Sequence, residues 1–134
     1  MASRDQQRAA RAYEDVSRYL NKDEASRKKY ATMVYKLPSL LQTAGLCQTL
    51  HFAAGRSGGK DGDSRAVVEH LAGQLHRVNG VITNADSLLE RARRAELAEY
   101  LALTDEAMAC AAWYRRLVQG VLKIDPSDAG EGDT

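Results

Sequence analysis

Cys47 and His51 stand four residues apart, the spacing that puts two side chains on one face of a helix. Such a pair could begin a metal site, but zinc needs three or four ligands. Cys110, His70 and His76 are the other candidates, and their spacing resembles no zinc motif. The same pair as nucleophile and base lacks any sequence signal for oxyanion donors. A buried free cysteine is a common small hydrophobe, and that is the reading for both cysteines. The run GRSGGKDGD at 55–63 invites a phosphate loop. No GxxxxGK[ST] is present, no strand precedes it, and Asp61 after Lys60 would repel phosphate. It reads as a flexible connector. The acid pairs Glu14–Asp15, Asp23–Glu24 and Asp105–Glu106 are adjacent, so their members do not face each other on a helix. They read as acids that favour helix N-termini. No catalytic residue, metal, cofactor or small-molecule substrate is expected.

Cations remain. Arg27, Lys28 and Lys29 form one cluster, and Arg91, Arg93 and Arg94 another. Arg56 and Lys60 decorate the Gly-rich run, and Arg115 and Arg116 follow Trp113-Tyr114. Such groups neutralise phosphates without reading bases. The formal net charge of +1 conceals an asymmetry. Residues 1–60 hold 11 Lys/Arg against 5 Asp/Glu, while the last ten residues hold only Asp125, Asp128, Glu131 and Asp133. A polyanion would meet a basic N-terminal half. Trp113 and Tyr114 read as core or interface anchors rather than base-stacking groups.

The elements that carry these residues are helical. The chain has 21 Ala and 15 Leu against 8 Val and 2 Ile, which favours an all-α domain over a sandwich or barrel. Its length suits one domain with its own core. The expectation is a compact helical bundle of about five to seven helices over 1–124, with 125–134 a disordered acidic tail. Ala9, Tyr13, Val16 and Leu20 give a first amphipathic helix over 4–20, with Arg4, Arg8, Arg11 and Arg18 on its other faces. Asp23 is placed to cap a second helix with Tyr30, Met33, Val34 and Leu37 on its stripe, leaving Arg27, Lys28, Lys29 and Lys36 outside it. Pro38 is expected to open a third helix that runs through about Ala54 and is apolar over a broad arc. Asp63 or Ser64 would cap the next helix, and Asn79-Gly80 would close it. Asp86 would start a short helix. Residues 96–122 read as one or two helices, with Thr104 a candidate internal cap.

No apolar run approaches the roughly 18 residues of a membrane span, and MASRDQQRAA lacks the apolar core of a secretory signal. With two unpaired cysteines, the expected compartment is the cytoplasm and no membrane partner is expected.

Two segments resemble a known family. YKLPSLLQTAGLCQTLHFAAGR at 35–56 and YLALTDEAMACAAWYRRLVQG at 100–120 are similar to the small all-helical subunit of the type III-B CRISPR RNA-guided effector, the Cmr complex. Leu37-Pro38, Gly45-Leu46, Leu50-x-Phe52, Tyr100, Thr104, Glu106 and the stretch Trp113 to Arg116 carry the resemblance. His51 departs from it, standing where a small residue is usual. The resemblance implies a non-catalytic subunit that stacks head to tail with copies of itself, beside the other subunits of the complex. It implies contact with the backbone of guide RNA and target RNA without base preference. Carried over by position, Arg115 and Arg116 come first as phosphate contacts, with Lys36 and Arg56 next. Arg27, Lys28, Lys29 and Lys60 join them on charge alone. Leu37, Pro38, Leu46 and Phe52 read as structural. The competing reading is a helical protein–protein adaptor, with the apolar arc of 38–54 and Trp113-Tyr114 as its partner groove.

Overall fold

The computed structural model describes residues 1–129, and these form seven α-helices joined by short turns. Helix α1 (Arg4–Ser17) starts at Ser3, whose hydroxyl accepts from the Gln6 N–H while the Gln6 side chain accepts from the Ser3 N–H. This reciprocal cap satisfies two donors that the first turn leaves open. A 3-10 turn at Arg18–Asn21 leads into α2 (Glu24–Ala44), capped by Asp23 as the sequence predicts.

Helix α2 runs straight through Pro38. The sequence places a helix boundary there, and the structure moves it to Gly45. The proline removes one ladder donor, at a cost of about 3 kcal/mol. Met33, Val34, Leu37 and Leu41 on either side are buried, and this burial holds the helix together across the defect. Gly45 has φ +87° and ψ 168°, a conformation that side-chain-bearing residues avoid, and it ends α2 and starts α3 (Leu46–Gly59).

The expected 55–63 loop is shorter in fact. Helical backbone ends at Arg56 (ψ 139°), Ser57 and Gly58 turn left-handed, and α4 (Gly62–Leu75) begins almost at once. Asp61 caps it by accepting from Asp63 and Ser64, ahead of the expected cap. The two predicted capping residues point elsewhere: Asp63 accepts from the Tyr19 hydroxyl, and Ser64 donates to the Ala53 carbonyl. Helix α5 (Ala85–Arg94) is capped by Asn84 and Ser87 rather than Asp86. Helix α6 (Leu97–Leu117) is one element; Thr104 caps nothing and donates back to the Tyr100 carbonyl. A π-type turn (Val118–Leu122) and left-handed Lys123 follow.

A last turn, α7 (Pro126–Ala129), packs on α2 where the sequence predicts disorder. Ala129 is buried and its carbonyl accepts from Thr32. The rest of the expected tail, 130–134, lies outside the described residues.

Helices α2, α4 and α6 form the centre, with α1 laid against α6. A polar seam runs through this core. The Tyr19 and Tyr30 rings stack at 4.1 Å, and the Tyr30 hydroxyl lies 2.7 Å from His70 Nδ1. The His70 ring stacks on Tyr114, whose hydroxyl donates to buried Asp15 at 2.7 Å. Burial pushes the Tyr30 and Tyr114 phenols up and the His70 imidazole down, so all three stay neutral near pH 7. The described residues include no helix long and apolar enough to cross a membrane.

Candidate nucleic-acid interface

The fold divides the cations into two sets. One set holds the core together. Glu106, read from sequence as a helix-start acid, is buried midway along α6. Arg8 grips both its oxygens, at 2.8 and 2.9 Å, and Arg4 and Arg77 add further bonds. The Arg8 hydrogen bonds hold the Glu106 carboxyl down at about 2. Arg18 donates to one oxygen of buried Asp15 at 3.1 Å, and Arg11 stands 3.7 Å from the same oxygen. Four N-terminal arginines thus share two buried carboxylates, while the Arg4, Arg11 and Arg18 side chains stay 57%, 46% and 68% exposed. In the predicted Arg91–Arg94 cluster, Arg91 pairs with Glu99 and Arg94 with Glu90.

The second set lies on the surface. Lys36, half-buried on α2, and Arg56, at the end of regular α3, converge on one ring. The Lys36 ammonium is 5.9 Å and the Arg56 guanidinium 5.5 Å from the centroid of Phe52. The Lys36 amine is pushed down, first by burial and then by the neighbouring Arg56 charge. Phe52, read from sequence as structural, is 45% exposed, whereas Leu37 and Leu46 are in the core as expected. An open groove of about 500 Å³ runs beside the ring, lined by His51, Phe52, Gly55, Arg56 and Ser57. The departure of the backbone from helix at Arg56 shapes this groove. Arg93 donates to His51 Nε2 at 3.2 Å and brings a further cation to its edge.

The remaining predicted residues lie elsewhere. The Arg115 guanidinium lies 5.0 Å from the centroid of Tyr35, whose hydroxyl donates to the Ile124 carbonyl. Arg116 is exposed. Arg27 and Lys28 line a second groove, of about 350 Å³, together with Glu24, Lys123 and Asp128. Lys28 also pairs with Glu24 at 3.5 Å, so this groove carries both signs of charge. Lys28 precedes Lys36 by eight residues, about 12 Å along the helix. Lys29 and Lys60 are exposed. The structure therefore brings Arg56 of α3 to Lys36 of α2 and sets Arg27 with Lys28 on an earlier stretch of α2.

Sequence reasoning missed Phe52, His51 and Arg93 as members of one surface. The one signal was the Leu50-x-Phe52 pattern, which does not say which of its two residues faces inward.

Cys47 is half-buried, and its N–H donates to the Tyr100 hydroxyl. Among the described residues no group of three or more His, Cys, Asp or Glu could hold a metal ion. The Cys110 thiol is pushed up to about 12, mainly by burial, and stays protonated. The apolar arc of 38–54 is used largely by the protein's own core, through Leu41, Leu46, Leu50 and Ala53. Tyr114 is buried, and Trp113 donates to Asp5. Of the arc and the Trp113-Tyr114 pair, Phe52 and in part Leu40, Cys47 and Trp113 remain at the surface.

Residues 4–121 match the family of CRISPR-associated proteins described as Cas_Cmr5. The chain belongs to this family. It is 39% identical over 125 residues to the CRISPR system Cmr subunit Cmr5 of Thermus thermophilus, covering 92% of this chain and 99% of that one. The crystal structure of a CRISPR-associated Cmr5 family protein from the same organism superposes with a TM-score of 0.78 at 37% identity, covering 91% and 99% of the two chains. The family match includes Lys36, Phe52, Arg56, Arg115 and Arg116 and stops before Lys123 and α7.

Proposed function

We propose that this chain is a non-catalytic small subunit of a CRISPR Cmr complex in the cytoplasm. Its basic surface holds guide and target RNA by their backbones. Family membership supports the assembly, and one observation carries the RNA contact: Lys36 of α2 and Arg56 of α3 are brought together over one exposed ring. Two cations from different helices, converging on one patch, form a phosphate-binding surface that reads no base. Arg115 and Arg116, on the last turn of α6, extend the set. Arg27, Lys28, Lys29 and Lys60 contribute longer-range attraction.

Assembly with neighbouring subunits, and head-to-tail stacking with copies of itself, needs apolar surface as well. Leu97 and Leu101 stand one turn apart on α6 and are 72% and 52% exposed. Tyr13, Leu20 and Val81 are also exposed. These are the residues we assign to protein contacts.

The test is RNA loading of the reconstituted complex across a salt series. A Lys36→Ala/Arg56→Ala chain should assemble normally and load RNA more weakly. The slope of log affinity against log salt should flatten by about 0.7 for each phosphate that is no longer neutralised. Unchanged loading at every salt concentration would remove these residues from the interface.

A further inference from the structure

We propose that Arg4, Arg11 and Arg18 form a second phosphate-binding ridge, along α1, for a stretch of RNA backbone. The proposal rests on the RNA-binding reading above and adds to it a surface on α1 and α4, whereas Lys36 and Arg56 stand on α2 and α3. The three arginines are seven residues apart. Seven residues make close to two turns, so the side chains share one face at steps of about 10.5 Å, in a row of about 21 Å. Arg18 keeps helical backbone (φ −62°, ψ −26°), which carries the row past the end of α1.

Each guanidinium is anchored from beneath. Arg4 donates from Nη1 to Glu106, Arg18 donates from Nη1 to Asp15, and Arg11 Nε stands 3.7 Å from the same Asp15 oxygen. Both carboxylates are buried, while the three arginine side chains keep about half or more of their surface in water. A guanidinium has five N–H donors, so one anchoring bond fixes its place and leaves other donors at the surface. The ion pairs stay intact when the ridge binds, and a group already held in place loses less freedom on binding. An approaching anion meets the cations first, because their counter-charges lie beneath them. Gly73 of α4 adds to the anchoring. Glycine is unfavourable inside a helix, yet a Cβ here would overlap the Arg11 guanidinium, which occupies that space.

The geometry selects the ligand. Guanidinium groups about 10 Å apart cannot close on one phosphate, so the row fits a polymer of phosphates rather than a free ion or a single nucleotide. Guanidinium also matches phosphate through paired N–H bonds. Tyr13, an exposed ring of α1, is nine residues from Arg4, about two and a half turns, and so stands on the opposite face. The contact is therefore with backbone. Glu14, exposed on α1 one turn from both Arg11 and Arg18, is an acid that this backbone would meet at the edge of the row.

The test titrates the full chain with a single-stranded RNA across a salt series. Arg4→Ala/Arg11→Ala is the diagnostic variant, because Glu106 keeps Arg8 and Arg77 while Asp15 keeps Arg18 and Tyr114. Its slope of log affinity against log salt should flatten by about 1.4, at about 0.7 for each of two phosphates. Arg65→Ala/Arg94→Ala removes the same formal charge from pairs with Asp86 and Glu90 and should leave the slope unchanged. Glu14→Gln should tighten binding at low salt by about two- to five-fold. Circular dichroism checks each fold. A wild-type slope in Arg4→Ala/Arg11→Ala overturns the ridge; if Lys36→Ala/Arg56→Ala flattens the slope in the same assay, the RNA-binding reading stands without it. Equal flattening in Arg65→Ala/Arg94→Ala also overturns the ridge, because net charge alone would then account for the binding. Should the arginine variant fail to fold, Glu14→Gln decides, and no gain in affinity overturns the proposal. A wild-type chain that binds no RNA but is retained on poly-glutamate overturns both readings in favour of an acidic protein partner.

Discussion

The Tyr100 hydroxyl accepts a hydrogen bond at 3.0 Å from the backbone N–H of Cys47, and the same oxygen lies 3.6 Å from where a Cβ on Gly45 would stand. One α6 side chain thus satisfies an open donor in the first turn of α3 and lies against the turn that ends α2. Two of the segments that carry the family resemblance meet at this point.

The turn should be sensitive to substitution at the glycine and not at the proline. Gly45→Ala forces a side chain into φ +87° and should destabilise the fold by about 1–3 kcal/mol. Pro38→Ala restores a ladder donor to α2 and should cost less than Gly45→Ala. Tyr100→Phe should cost about 1 kcal/mol by leaving the Cys47 N–H without this partner. Urea unfolding of the three variants ranks them.

Glu106→Gln should be among the most damaging single changes, at about 3 kcal/mol, because Arg4, Arg8 and Arg77 lose the charge they share. The pH dependence follows from the same contact. The Glu106 carboxyl lies at about 2 in the fold against an ordinary 4.5, so the unfolded chain binds the proton more readily. Its contribution is fully present above about pH 4.5 and is lost as pH falls towards 2. Stability measured across that window should fall more steeply in the wild type than in Glu106→Gln. Parallel curves would show that the carboxylate does not control the acid limb.

Arg115→Ala with Arg116→Ala should lower RNA loading of the complex while far-ultraviolet circular dichroism stays unchanged. Arg116 is exposed, and Arg115 lies over the Tyr35 ring rather than in the core, so the fold does not need either charge. Normal loading by the double variant would place the RNA path away from the end of α6.

Asp61→Ala should cost about 1 kcal/mol, since Asp61 accepts from both Asp63 and Ser64 at the start of α4. Asp63→Ala loses the Tyr19 hydroxyl instead and removes no cap. Hydrogen exchange at the Asp63 and Ser64 amides separates the two: only Asp61→Ala should speed it.

The all-helical fold was legible because the helix stripes are strong. Val16, Tyr30, Val34, Leu71 and Leu75 are all in the core that their spacing predicts. The boundaries were less so. A proline and a glycine compete as helix breakers seven residues apart, and tertiary burial decided for the proline to remain inside. Capping failed at Asp63 and Asp86 because several polar residues crowd each helix start, and side-chain partners far along the chain draw them away. The site was legible only in part. Lys36 and Arg56 came from resemblance, but their meeting on Phe52 depends on how α2 crosses α3. The charge count of the N-terminal half did not show which cation is drawn inward, as Arg8 is to Glu106. Nothing in the sequence showed that Arg4 and Arg8 would be matched to a carboxylate near the other end of the chain.

That pairing has a consequence for how the protein is made. Arg8 and Glu106 are 98 residues apart, and Asp15 and Tyr114 are 99 apart. At about 5–20 residues per second, the ribosome releases the first helix several seconds before its partners exist. Until α6 emerges, α1 is a charged amphipathic segment without its principal packing partner. The nascent chain therefore closes late and from its two ends, and a stall anywhere before α6 leaves the N-terminal helix exposed to chaperones and proteases.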